Sequence, residues 1–277
     1  MHAAIATRRR ALLLAALALA ASYLASAHWL SRSGGAAEHP VRSGARHLIQ
    51  SPTASARTSR EMLGRERIVL GASVRDRPIV AVLSGDLDAK RAVLVVGAIH
   101  GDEPAGIAIA RDLYRDRPPR SGLIVTIPDL NPDGVEAGTR QNARGVDLNR
   151  NFPWRWRPLE RLGDPQYSGP HALSEPESRI AHSLILRRRP RITVWFHQPL
   201  ALVDESGGNQ KVESLAARLM HLPLRRLTRY PGSAASWQDH RLRSTTAMVV
   251  ELPPGRPSPR LVERDSDAIR SLLERYA

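Results

Sequence analysis

Four short apolar runs, Ala92 to Ile99, Gly122 to Ile127, Arg191 to Phe196 and Thr245 to Leu252, constrain this chain more than any other feature. Each is nearly continuous in apolar and β-branched residues, as expected of a strand buried on both faces. Val69 to Val74 and Pro78 to Leu83 read as two further strands around the turn Arg75-Asp76-Arg77. Helical spacing lies between the runs. Ile107, Ile109 and Leu113 mark one helix, and Ile180, Leu184 and Ile185 mark a second, which Ser174-Glu175-Pro176-Glu177 opens as a capping box and Pro190 closes. Val212 to Met220 and Leu261 to Tyr276 complete the set, the latter with Ile269, Leu272 and Leu273 facing inward. Strands alternating with helices predict an α/β fold, and no internal repeat interrupts it.

The chain has 277 residues, 42% of them hydrophobic, enough for one large domain with a sizeable core. Three segments are expected. Residues 1–27 read as an export signal: Arg8 to Arg10, then the apolar stretch Ala11 to Leu24, then the small-x-small pattern Ala25-Ser26-Ala27. Two outcomes are open, because Leu30 extends the apolar run toward the roughly 20 residues that span a bilayer. Either the segment is cleaved or it stays as a membrane tether, and both put the protein outside the cytoplasmic membrane, secreted or anchored. Thr7-Arg8-Arg9 partly matches a twin-arginine signal, although Ala11 stands where a bulky apolar residue belongs, so the export route is open as well. Residues 28–66 are rich in Ser, Gly, Ala, Arg and Pro and read as a flexible linker. Residues 67–277 are expected to form the folded domain.

The formal net charge is +14, almost all of it from arginine, since Lys90 and Lys211 are the only lysines. These charges are scattered, and aromatics make up 4% of the chain. Nothing resembles a basic patch with interleaved stacking residues, so nucleic acid is not an expected partner. Cysteine is absent, which excludes disulfides and a thiol nucleophile and leaves His, Asp and Glu to build any metal site.

Each long run hands over to a polar cluster: Ile99 to His100, Ile127 to Asn131-Pro132-Asp133-Gly134, Phe196 to His197, and Val250 to Glu251. Ligands of open α/β sheets bind beyond the carboxyl ends of strands, so the four clusters are expected to converge. In His100-Gly101-Asp102-Glu103 an imidazole and a carboxylate three residues apart can both reach a cation at about 2.0–2.2 Å. Taken singly, each feature has a plainer reading. A His-x-x-Glu spacing arises by chance, a histidine ending a strand is commonly a core residue, and an arginine in this chain is usually a solvated charge.

The ordered set is more specific. His100-Gly101-Asp102-Glu103, Asn131-Pro132-Asp133-Gly134, Arg140, Gly145 to Pro153, Ser174 to Glu177, Phe196-His197 and Glu251-Leu252-Pro253 together resemble the zinc carboxypeptidase family. The resemblance covers about residues 68 to 277. It implies a single carboxypeptidase A-like α/β domain, with a mixed central β-sheet flanked by helices on both faces. It implies that His100, Glu103 and His197 hold one Zn²⁺ and that Glu251 is the general base. It further implies that Arg140 stabilises the oxyanion, that Asn149 and Arg150 clamp the substrate's terminal carboxylate, and that Asp147 hydrogen-bonds a zinc-ligating histidine. Tyr230 falls in the loop that carries the family's mobile active-site tyrosine, about two residues short of the expected spacing; the plainer reading is a packing residue. His171, His182, His221 and His240 match nothing and read as surface or supporting residues.

Phe196-His197-Gln198-Pro199 and Pro231-Gly232-Ser233 followed by Ser236-Trp237 look most like the murein tripeptide amidase branch. That branch cuts between γ-D-glutamate and meso-diaminopimelate, so a peptide or muropeptide is the expected substrate. Two departures stand against it: Gln198 replaces an Asp of the branch pattern, and members that recycle cell wall are cytoplasmic. Ala235 is small and neutral where basic-specific carboxypeptidases place an acid, which speaks against Lys or Arg termini. Three readings are open at this point: a cell-wall peptide amidase, a general secreted carboxypeptidase or aspartoacylase-like deacylase, and an inactive envelope-binding module.

Overall fold

The computed structural model describes residues 63–277. The expected export segment and the linker up to Met62 lie outside the described residues. The elements run β1 (Leu63–Ala72), β2 (Pro78–Asp86), β3 (Ala92–Val96), α1 (Ala105–Arg115), β4 (Leu123–Ile127), α2 (Pro132–Ala137), a 3-10 turn (Leu148–Arg150) and α3 (Pro176–Arg188). There follow β5 (Ile192–His197), β6 (Leu202–Asp204), α4 (Gln210–Leu219), β7 (Leu224–Arg225), α5 (Ala234–Arg241), β8 (Thr246–Glu251) and α6 (Pro259–Tyr276).

One mixed sheet holds all eight strands in the order β1-β2-β4-β3-β5-β8-β6-β7. The four apolar runs form its parallel centre, β4-β3-β5-β8, with antiparallel additions on both sides. Side chains alternate between two cores. Val93, Val95, Val194 and Val250 face α1, α4 and α6, whereas Leu94, Val96, Trp195 and Val249 face α3 and α5. Helices therefore cover both faces, as expected.

Three local expectations are corrected. The strand expected over Ala92 to Ile99 ends at Val96, where the chain turns out of the ladder. It stays tied to the end of β4, since Gly97 N–H donates to the Ile127 carbonyl and Leu130 N–H donates to the Ala98 carbonyl, both at 2.9 Å. β1 starts at Leu63, so Leu63 to Glu66 belong to the sheet rather than the linker. Its central residues are exposed at the sheet edge, which removes the apolar signal a strand would leave. The capping box at Ser174 does not form. Ser174 Oγ donates to Glu175 and accepts from Asn151, while Glu175 and Glu177 both accept from Asn142 Nδ2 at 2.8 and 3.0 Å. That segment braces the loop leading to Asp147 rather than a helix end.

Asp239 on α5 has one oxygen on the Ala247 N–H at 2.8 Å, and burial pushes its carboxyl up from 3.8 to about 8. A raised folded-state value means the native protein holds a proton that the unfolded chain releases, so stability falls as pH rises from about 4 to 8. Asp239→Asn is expected to flatten that slope. Melting temperatures of the variant will drop less between pH 5 and pH 8 than those of the wild type.

Candidate active site

The carboxyl ends of the central strands deliver the site residues. His197 is the last residue of β5 and Glu251 the last of β8, and the two are paired in the parallel register. His100 and Glu103 sit on the loop from β3 to α1. That loop lies against α2 so closely that a Cβ on Gly101 would come within 1.9 Å of the Gly134 backbone. Asn131 Oδ1 accepts from Gly134 N–H and its Nδ2 donates to the Ile99 carbonyl, so the polar turn after β4 clips onto the metal-binding loop.

Three electron-pair donors face one point. His197 Nδ1 is 2.8 Å from Glu103 Oε2 and 3.1 Å from His100 Nδ1, and His100 Nδ1 is 3.0 Å from Glu103 Oε2. Donors on a tetrahedral zinc lie roughly 3.3 Å apart, given bonds near 2.0–2.1 Å. Two imidazole nitrogens and a carboxylate oxygen at these separations repel unless a cation or shared protons lie between them, so the donor set suits zinc. Among the described residues this is the one group of three such ligands drawn together. His171, His182, His221 and His240 stand outside it.

Behind the donors, Asp147 is fully buried. Its Oδ1 pairs with His100 Nε2 and its Oδ2 with Arg140 Nε, each at 3.0 Å, and its Oδ1 also accepts from Asn149 N–H. This fixes His100 with Nδ1 toward the metal position. Burial opposes the charge on Asp147, but His100 and Arg140 overcome it and hold the carboxyl well below its usual range. Glu103 is likewise held far below its usual range by His100 and His197 against the effect of burial. Burial disfavours protonation of His100, yet Asp147 and Glu103 together raise its value. Arg140 also donates to Glu103 Oε1 at 2.9 Å, so it spans the ligand and the supporting carboxylate.

The remaining expected residues line the same cavity, of about 380 Å³. Asn149 Oδ1 accepts from Ala234 N–H at 2.9 Å, which leaves its NH₂ group as the free donor. Arg150 is buried, with Nε and Nη2 both donating to Gln166 Oε1 and Nη1 donating to the Asn149 carbonyl. The Tyr230 ring lies 4.2 Å from the Arg150 guanidinium, so the spacing difference in that loop does not carry it away from the cavity. Gly232, at φ 78, allows this: a Cβ there would strike the Arg150 carbonyl at 1.9 Å. Burial raises the Glu251 carboxyl, nearby Glu103 adds to the effect, and His197 opposes it.

Gln198, the departure from the branch pattern, accepts from Ala105 N–H and donates to the Pro253 and Gly255 carbonyls. A carboxylate could not make those two donations. Sequence reasoning missed Gln166, which carries no motif. It also missed Asp204, Ser206 and Arg229, which line the cavity from β6 and the loop after β7. Ala235 lines this cavity too, and Asp204 is an acid on its wall.

Asp147→Asn is expected to weaken zinc binding about 10- to 100-fold while the fold persists, because an uncharged amide with one acceptor oxygen cannot serve both His100 and Arg140. His197→Ala removes a ligand and is expected to leave substoichiometric metal after dialysis. Metal analysis with competitive chelator titration checks both.

Residues 64–203 match the zinc carboxypeptidase family. Murein peptide amidase A of Vibrio campbellii is 32% identical over 217 residues, spanning 74% of this chain and 86% of that protein. The Escherichia coli K12 protein of the same name is 35% identical over 175 residues, spanning 58% and 71%. The crystal structure of murein-tripeptide amidase from Escherichia coli O157 superposes with a TM-score of 0.64 at 28% identity, covering 80% of this chain and 97% of that one. Carboxypeptidase A from Helicoverpa armigera shares the fold, with a TM-score of 0.64 at 18% identity over 78% of this chain and 68% of that one. A matched stretch that holds all three metal-site residues, and relatives at a third identity over most of the described domain, place the chain in the zinc carboxypeptidase family as a zinc-dependent peptide-bond hydrolase.

Proposed function

We propose that this hydrolase cleaves the amide between γ-D-glutamate and meso-diaminopimelate in murein peptides, on the outer side of the cytoplasmic membrane. The observation that carries the reading is the 32% identity to a murein peptide amidase over 86% of that relative's length. The cavity is consistent with it, since donors for a free carboxylate stand beside the metal-binding group. The export half rests on the sequence of residues 8 to 27.

His100, Glu103 and His197 would hold the zinc, which when bound would supply a Lewis acid able to lower the pKa of a water to about 7 and to polarise the scissile carbonyl. Glu251, beside His197 and with its proton affinity raised by burial, takes a proton from the attacking water and delivers it to the departing amine. The unused edge of the Arg140 guanidinium donates to the carbonyl oxygen as it gains negative charge. Arg150 and the Asn149 NH₂ hold the carboxylate of the leaving residue, which orients the amide toward Glu251.

Glu251→Gln is expected to retain zinc and substrate binding but lower kcat by about 10²- to 10⁴-fold. Arg150→Ala is expected to raise KM and erase the preference for a free over an amidated terminal carboxylate, with some loss of kcat as orientation is lost. Steady-state kinetics on paired substrates separates the two.

A mass-spectrometric digest comparing muropeptides with ordinary C-terminal peptides tests the function, with release of free diaminopimelate as the expected result. Trimming of ordinary peptides alone would overturn it. N-terminal sequencing of the native protein tests export: the expected start is His28, or an intact tethered chain. Intact protein in soluble cytoplasm is the contrary result.

A further inference from the structure

The cavity holds two opposite charges that do not meet. Asp204 ends β6 and is buried, the residue being 9% exposed. Its oxygens accept from the Leu227 N–H at 2.8 Å and the Ser206 hydroxyl at 3.1 Å, and no cationic side chain pairs with it among the described residues. Arg229 lines the same cavity and spends its contacts on backbone, donating to the carbonyls of Glu205, at 2.7 Å, and Ser206. No carboxylate pairs with it among the described residues. Each group is tied to its own neighbours and keeps hydrogen-bonding capacity that nothing within the protein uses.

The sheet fixes where this pair lies relative to the reacting end. Leu202 on β6 pairs with Glu251 on β8 and Val203 with Val250, so one step further sets Asp204 beside Val249. Residues two apart on a strand share a face, so Glu251, Val249 and Asp204 all look into the cavity. Asp204 therefore stands about 7 Å along the strand direction from the base, at about 3.4 Å per residue. Val249, Leu227 and Ala235 offer apolar wall between the two ends, suited to a few methylenes.

We infer that Asp204 and Arg229 select the leaving residue by binding the ammonium and carboxylate of a zwitterionic amino-acid head at the end of its side chain. This rests on the amidase reading above and deepens it. Diaminopimelate carries such a head beyond three methylenes. Lysine is the same residue without the distal carboxylate, and 2-aminopimelate is the same residue without the distal amine, so each would leave one of the two charges desolvated and unpaired.

The test uses the full-length zinc-loaded enzyme and L-alanyl-γ-D-glutamyl peptides ending in meso-diaminopimelate, lysine or 2-aminopimelate. Wild type is expected to favour diaminopimelate over each of the others by about 10- to 100-fold in kcat/KM, the usual worth of a charged hydrogen bond. Asp204→Asn is expected to lose the preference over 2-aminopimelate, and Arg229→Gln the preference over lysine, each keeping its full zinc content. Equal rates on all three peptides in the wild type, or variants that retain both ratios, would overturn the assignment. Should no γ-glutamyl peptide be cleaved, the amidase reading fails by itself. The same three residues placed at the end of an α-linked peptide then decide the pocket by the same ratios.

Discussion

The site depends on one buried carboxylate. Asp147 sits on a turn with no solvent to stabilise its charge, and a lone buried carboxylate is too costly to remain ionised. Its ionisation is sustained by His100, Arg140 and the Asn149 N–H. In satisfying itself it therefore sets the tautomer of His100, anchors Arg140 and closes the turn that carries Asn149 and Arg150. Arg140 passes the constraint on to Glu103, so both loops are locked by a single chain of charged hydrogen bonds.

Much of this arrangement was legible in the chain itself. Continuous apolar runs give buried parallel strands because a strand with helices on both sides has no wet face, and residues at the carboxyl ends of such strands meet by topology. His100, His197 and Glu251 could be read for that reason. The extra strand length before Val69 could not, because edge residues at the surface carry no apolar pattern. Ser174-Glu175-Pro176-Glu177 misled for a different reason: its side chains have the composition of a cap but are spent on Asn142 and Asn151, a use set by tertiary contacts.

Asp204 and Arg229 were illegible for a third reason. Neither belongs to a motif, and in a chain with 41 Lys and Arg residues an arginine carries little information by type. Their significance comes from the short antiparallel strand β6, three residues long, which lies beside β8 only after the chain has turned back. Reaction machinery concentrated at the ends of parallel strands leaves a sequence signature. Selectivity built on a strand joined from the side does not.

The pairing of β6 with β8 has a consequence for how this enzyme could diversify. The pleat works as a ruler: along one face, positions come only in two-residue steps, so the span from base to selecting acid is quantised. A relative that accepts a shorter or longer side chain cannot adjust that span gradually. It must move the acid a whole step, or lift it onto another element such as α5.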